Sequence, residues 1–175
     1  LVGVGISVIL FVAQQSTGLV TKRMVFREDE RIEEVDPPDE VPPNEVVVLH
    51  PYGAIFFATA PTLFDQMPTV TPESQNSVVI LRIRGADDAG ATLLEVLERY
   101  AQSLRDVDSK LMLVTDNRRV IRQLRVTGTT DVIGSDNVYR STAFIGETTK
   151  KAHADAQEWI DEQRTASEES SDETS

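Results

Sequence analysis

One apolar run near the middle of the chain restricts the fold more than any other feature. Residues 77–83 read Ser-Val-Val-Ile-Leu-Arg-Ile, which is too continuously apolar for a strand with one face in water. A strand covered on both faces lies inside a sheet flanked by helices. The run therefore predicts an α/β domain whose sheet is centred on residues 77–83.

Patterns on either side of this strand predict the other elements. Apolar runs at 46–50 and 54–57 flank Pro51-Tyr52-Gly53, which predicts an opening hairpin. The order of the elements predicts a mixed sheet of four to five strands flanked by about four helices. The remaining predicted elements are a helix from Thr59 or Ala60 to Met67, a helix over 91–104, a strand over 110–115, a helix over 118–127 capped by Asp116 or Asn117 and ended by Gly128, a short strand or turn at 132–133 and 137–139, and a helix capped by Ser141 or Thr142 that reaches about Gln163.

The helix over 91–104 has the clearest periodicity. Its apolar side chains recur at spacings of three and four residues, which places them on one helix face. The predicted core positions are Leu93, Leu94, Val96, Leu97, Tyr100, Ala101 and Leu104. The corresponding face of the last helix is Phe144, Ala152, Ala156, Trp159 and Ile160.

The first residues suggest attachment to a membrane. Leu1 to Ala13 carries no charge, but as a helix it would be roughly 20 Å long, against about 30 Å of bilayer hydrocarbon. We expect residues 1–16 to be the end of a truncated transmembrane helix. Lys22, Arg23 and Arg27 then place the rest of the chain on the cytosolic side of an inner or plasma membrane. The alternative is a short apolar helix packed on the domain.

Charge divides the remaining chain into segments. Residues 26–45 hold nine acids, two bases and four prolines, so we expect 17–44 to be a charged, Pro-rich linker or a peripheral strand. Residues 45–163 form the predicted domain. We expect the acidic tail, 164–175, to be disordered because it lacks apolar surface. The net charge of −12 provides no basic face for nucleic acid.

The composition also argues against most catalytic and metal sites. The chain has no cysteine and only two histidines, so we expect no metal and no cofactor. His50 is expected to be a turn or capping residue and His153 a surface residue. Asp87 and Asp88 lack a nearby nucleophile or metal-binding partner in the sequence. We therefore expect them to interact favourably with the helix macrodipole rather than to take part in catalysis.

The stretch from Glu45 to Ile160 resembles the STAS domain, the module shared by sulphate transporters and anti-sigma-factor antagonists. It looks most like the form at the C-terminus of sulphate-permease-type anion transporters. No single motif is diagnostic, but the order and spacing of several passages are specific. These passages are VVVLHPYGAIFFATAPTLFDQM (46–67), SVVILRIRGADDAGATLLEVLERYAQSL (77–104), SKLMLVTDNRRVIRQLRVTG (109–128) and DVIGSDNVYRST (131–142).

The resemblance identifies a candidate switch loop and partner contact, formed by Asp87, Asp88, Gly90, Ala91 and Thr92. In the soluble relatives, a serine in an Asp-Ser-Ser-Gly-like turn is phosphorylated. The serine positions fall on Gly90 and Ala91 here, so no hydroxyl stands there. Thr92 is adjacent, but a helix N-cap or first-turn role is the expected one.

Two further features suggest contact surfaces. Arg118, Arg122 and Arg125 lie at helical spacing, with Arg119 beside them, and form a candidate basic ridge for lipid headgroups, cytosolic loops of the transporter or an acidic partner. A solvated helix face is the alternative. Phe56 and Phe57 are expected to pack in the core rather than to line a ligand groove.

The resemblance implies a cytosolic regulatory and assembly domain of a secondary anion transporter, without enzymatic activity. The expected partner is the membrane domain in the same full-length chain, with a second copy of the domain as a further candidate. The alternative is a free-standing partner-binding protein of the anti-sigma-factor-antagonist kind. The absence of a serine at position 91 argues against that alternative.

Overall fold

The computed structural model describes residues 18–27, 31–53, 60–84, 89–142 and 146–172, the last six of them by backbone alone. The strands in these residues are β1 (Val20–Phe26), β2 (Ile32–Val35), β3 (Val46–Tyr52), β4 (Val78–Ile83), β5 (Lys110–Thr115) and β6 (Val138–Arg140). The helices are α1 (Ala60–Gln66), α2 (Gly90–Arg105), α3 (Arg118–Val126), α4 (Thr129–Ile133) and α5 (Glu147–Asp172), with a 3-10 turn at Ser135–Asn137.

The strands form one mixed sheet in the order β2-β1-β3-β4-β5-β6. Strands β3 to β6 are parallel to one another, whereas β1 is antiparallel to both of its neighbours. The predicted mixed sheet is confirmed. It contains six described strands rather than four or five, because two strands come from the stretch that was predicted as a linker.

Strand β4 is the central strand that the sequence predicts, and all six of its residues are buried. Val79, Leu81 and Ile83 face a large apolar cluster that includes residues of α1 to α4. Val78 and Ile80 face a smaller cluster that α5 covers. The domain therefore has three layers, with four helices on one face of the sheet and one described helix on the other.

Helix α2 supplies the largest helical contribution to the core. Its buried residues are the seven that periodicity predicts, from Leu93 to Leu104. Of the predicted face of the last helix, Ala152, Ala156 and Ile160 are buried and Trp159 packs against them. Phe144 lies outside the described residues.

Residues 17–44 contain β1 and β2, which agrees with the peripheral strand that was the alternative to a linker. The charges that indicated a solvated linker instead pair across neighbouring segments. Lys22 contacts Asp36 at 2.6 Å, and Arg23 contacts Glu45 at 3.0 Å. Strand β1 also covers an edge of β3 that would otherwise be unpaired. The dense charge is thus compatible with a strand pair at the edge of the sheet.

The opening hairpin is also different. Pro51 and Tyr52, predicted as a turn, are the last residues of β3 and pair with Thr21 and Val20 of β1. The neighbours of β3 are β1 and β4, so its antiparallel partner precedes it in the chain. The predicted second arm, 54–57, lies outside the described residues.

Two elements near the C-terminus differ as well. Residues 132–133 belong to helix α4 rather than to a strand or turn. Gly128 and Gly134, with φ of 81° and 94°, bracket this helix, and such conformations favour glycine. Helix α5 begins at Glu147 and continues to Asp172, into the tail that was predicted to be disordered. Extending a formed helix costs much less than starting one.

Three buried serines join the amino-terminal ends of the parallel strands. The Ser109 hydroxyl accepts a hydrogen bond from the backbone N–H of Ser77 at 2.8 Å and donates one to the carbonyl of Ser74 at 2.6 Å. The Ser74 hydroxyl in turn donates to the carbonyl of Val41 at 2.7 Å. These contacts connect segments far apart in the sequence.

We therefore predict that Ser109→Ala lowers the free energy of unfolding by about 1–3 kcal/mol, because two buried backbone groups lose their partner. Urea denaturation measures this change. The matched control is Ser103→Ala, whose hydroxyl bonds only to Arg99 of the same helix in a solvent-exposed position. The control should change stability by less than about 0.5 kcal/mol. Equal effects of the two substitutions would contradict the prediction.

Candidate functional site

Two of the predicted contact regions begin at one edge of the sheet. Strands β3 to β6 are parallel, so their carboxyl ends share this edge, which we call the carboxyl edge. Strand β1 runs the other way and starts there, since Val20 lies opposite Tyr52. The predicted switch loop follows β4, and the basic helix α3 follows β5. The chain therefore enters the described domain at the same edge that carries both predicted contacts.

The switch loop is described from Ala89 onward, whereas Asp87 and Asp88 lie outside the described residues. Ala89 is buried and precedes α2 without a side-chain cap. Gly90 has φ of 49°, a left-handed conformation that favours glycine. Ala91 is exposed and Thr92 is half-buried in the first turn. Thr92 is thus a first-turn residue, and its hydroxyl does not cap the helix.

A hydrogen bond connects this helix start to α3. The backbone N–H of Ala89 donates to the side-chain oxygen of Gln123 at 2.9 Å. Gln123 lies on α3, one residue after Arg122. The two predicted contact regions, the switch loop and the basic ridge, are therefore neighbours in the fold.

Helix α3 presents its arginines to solvent. Asn117 caps the helix by accepting from the Arg119 N–H at 2.8 Å, as predicted. Val120 and Leu124 are buried. The other face contains Arg118, Arg122 and Arg125, which are all exposed and have no ion-pair partner among the described residues. Val126, beside them, is 80% exposed. The surface combines unpaired positive charge with an exposed apolar side chain.

Two buried polar residues at the carboxyl edge were not predicted as functional. His50 and Arg82 are each 6% exposed and project from the face of the sheet that α5 covers. The His50 Nδ1 lies 3.2 Å from the Arg82 carbonyl oxygen, and burial lowers the pKa of His50. His50 is thus a buried strand residue rather than a turn residue. The sequence feature that distinguishes Arg82 is its charge within an otherwise apolar strand.

The described residues contain no group of three or more histidine, cysteine, aspartate or glutamate side chains suited to a metal ion. His153 is half-buried, with its ring 4.8 Å from that of Phe26. In the part of the chain that the structure describes, no helix combines the length and the apolar composition needed to cross a bilayer. Phe56 and Phe57, like residues 1–17, lie outside it.

The sheet order and the helix layers define a three-layer α/β domain of the STAS-like class. A family model for the STAS domain matches residues 38–145, which is more than half of the chain. The chain therefore belongs to the STAS domain family. No match was found among curated proteins.

Two solved structures share the fold. One is described as the overall structure of SLC26A9, with 16% identity, a TM-score of 0.59 and 88% of this chain covered. The present chain spans only 27% of that protein's chain. The other is a sulfate transporter family protein from Wolinella succinogenes, with 19% identity, a TM-score of 0.52 and coverage of 78% of this chain and 97% of that one.

We expect the hydrogen bond from the Ala89 N–H to the Gln123 side chain to order the start of α2. Gln123→Ala should increase the hydrogen-exchange rate of the Ala89 amide by up to about tenfold, since a net hydrogen bond contributes about 0.5–1.5 kcal/mol. The buried amide of Leu97 should be unaffected. Gln102→Ala, which removes an exposed side-chain bond to Asp106, is the control. Unchanged exchange at Ala89 would show that the bond does not order the start of α2.

Proposed function

We propose that this chain is the cytosolic regulatory and assembly domain of a secondary anion transporter of the sulphate-permease type. The observation that carries the proposal is the position of the chain entry. Strand β1 begins at the carboxyl edge, a few residues after the apolar run of residues 1–13, which we expect to be the end of a membrane helix. A membrane domain preceding residue 18 would therefore lie above this edge.

In this arrangement the candidate switch loop and the start of α3 would face the membrane domain. The exposed residues Arg118, Arg122 and Arg125 would contact acidic cytosolic loops of that domain, because unpaired guanidinium groups on an acidic protein favour acidic partners. The proposed role is binding and regulation rather than catalysis.

The alternative phosphorylation switch has little support in the first turn of α2. Gly90 and Ala91 have no hydroxyl, and Thr92 is half-buried. We therefore propose that Asp87, Asp88, Gly90, Ala91 and Thr92 form a docking contact that does not require phosphorylation.

Removal of residues 1–15 tests the membrane attachment. We expect the shortened chain to leave the membrane fraction, to be soluble and to unfold cooperatively, because the first buried core residue described is Leu19. The measurements are cell fractionation and thermal unfolding. The control is a deletion of residues 1–26, which also removes β1 and should cause aggregation by exposing the edge of β3. Aggregation of both shortened chains would mean that residues 1–15 belong to the core.

Replacement of the basic ridge tests the docking surface in the full-length transporter. The variant carries Arg118→Gln, Arg122→Gln and Arg125→Gln. We expect the initial rate of anion uptake by reconstituted vesicles to change by about fivefold or more, the lower end of typical coupling between sites. The stability of the domain should be nearly unchanged, because all three side chains are exposed.

The matched control variant carries Arg27→Gln, Arg105→Gln and Arg164→Gln. It loses the same charge, but these residues already have partners in Glu33, the Val132 carbonyl and Asp161. Exposed pairs of this kind contribute little to stability. Equal uptake by the two variants would overturn the role of the ridge, while membrane attachment would remain as a separate result.

A further inference from the structure

Two neighbouring cavities lie beside the C-terminal end of α1. The first, about 370 Å³ in volume, lies between α1 and α2 and has Phe64 and Val70 in its wall. The second, about 480 Å³ in volume, lies between α1 and the start of β1. Asp65, Met67 and Thr69 line both cavities. The two cavities therefore form one continuous groove, which we call the α1 groove.

The end of the α1 groove next to α2 is apolar. The rings of Phe64 and Tyr100 meet edge to face, with 6.4 Å between their centroids. The Tyr100 hydroxyl donates to the Pro68 carbonyl at 2.8 Å, so its polar atom already has a partner. The Arg99 guanidinium lies 4.7 Å from the centroid of the Phe64 ring and has no ion-pair partner among the described residues. A positive charge therefore lies beside the apolar end.

The other end of the α1 groove is acidic. Asp39 and Asp65 line it, are both exposed and have no ion-pair partner in the part of the chain that the structure describes. Gln66 forms another part of the wall and fixes the start of β1. Its side chain accepts from the Thr21 N–H at 2.7 Å and donates to the Leu19 carbonyl at 2.9 Å. The two carboxylates thus stand in a cavity whose wall is held in place by hydrogen bonds.

A buried hydroxyl at the acidic end lacks a partner. Thr21 lines this cavity and is 4% exposed, and its Oγ1 atom has no hydrogen-bond partner. Buried hydroxyl groups are generally hydrogen-bonded, because an unpaired one is unfavourable. A cationic ligand that donates hydrogen bonds would satisfy Thr21 and would neutralise Asp39 and Asp65.

We propose that the α1 groove binds an apolar primary amine in its protonated form, with the ammonium group at the acidic end and the hydrocarbon part at the apolar end. An ammonium group has three donors, which match the Thr21 hydroxyl and the two carboxylates. Arg99 sets the orientation, because it repels a cation at the apolar end. The apolar cavity has the volume of a small ligand site, so it accepts one aromatic ring or a short alkyl chain. The groove shares no residue with the basic ridge and does not depend on the proposed transporter role.

The test is a titration of the ¹⁵N-labelled full chain in lipid nanodiscs, followed through the backbone amide resonances of Thr21 and Val70. The probes are phenylethylamine, which is protonated at neutral pH, the neutral phenylethanol and the anionic phenylpropionate. We expect a saturable shift at both amides with the amine, with half-saturation on the order of millimolar. Phenylethanol should bind roughly two- to fivefold more weakly, because it lacks the charge, and phenylpropionate should bind more weakly still.

Two variants separate the charge of the groove from its hydroxyl. Asp65→Asn should raise the half-saturation concentration of the amine by roughly two- to fivefold, as expected for an exposed charge, and should leave that of phenylethanol unchanged. Thr21→Val should also weaken amine binding, but without lowering the thermal unfolding temperature, because the hydroxyl has no partner to lose. Glu158→Gln removes an exposed carboxylate of α5, on the other face of the sheet, and is the control that should leave every titration unchanged.

The absence of a saturable shift with the amine would overturn the proposal. Equal half-saturation for the amine and phenylethanol in the unsubstituted protein would also overturn it, because the groove would then select apolar groups without regard to charge. So would equal effects of Asp65→Asn and Glu158→Gln, since the amine would then respond only to the net charge of the protein.

Discussion

The structure depends on the burial of β4 on both faces. A strand with no side in water requires apolar layers above and below it, and its parallel pairing with β3 and β5 requires connections that cross over the sheet. The strand order from β3 to β6 advances in one direction. Right-handed crossovers that step in the same direction lie on the same face. This explains why α1 to α4 share one cluster and why only α5 is described on the other face.

The two faces of the sheet are covered by different numbers of helices, and their side chains differ in polarity. The face under four helices contains the larger apolar cluster, which includes Leu81 and Leu97. On the opposite face, the cluster under α5 includes Val78 and Ile80, but the next residue on this side of β4 is Arg82. Apolar packing thus gives way to polar side chains as the strand approaches its carboxyl end. Open parallel sheets generally bind ligands beyond this end of the strands. The polar side chains therefore lie at the end of the sheet where ligands commonly bind.

Local patterns predicted the elements whose environment is uniform along their length. The strand at 110–115 and the buried face of α2 follow from apolar runs and helical spacing, and the cap at Asn117 follows from side-chain chemistry. The pair of strands β1 and β2 was covered only by the alternative of a peripheral strand, because their charges pair with residues in neighbouring segments, as in the contact between Arg23 and Glu45. Composition alone does not distinguish a solvated charged side chain from one that forms an ion pair at the edge of a sheet.

The same limitation applies to the candidate sites. Exposure of Arg118, Arg122 and Arg125 follows from a single helix pattern, since the buried residues Val120 and Leu124 fix the opposite face. The environment of Arg82 depends on contacts between strands, such as the 3.2 Å contact between the His50 Nδ1 atom and the Arg82 carbonyl oxygen. A basic side chain on the surface of an acidic protein attracts many partners weakly. The exposure of a helix face can therefore be predicted from the sequence, whereas the burial of a charged strand residue such as Arg82 cannot, because it depends on the neighbouring strands.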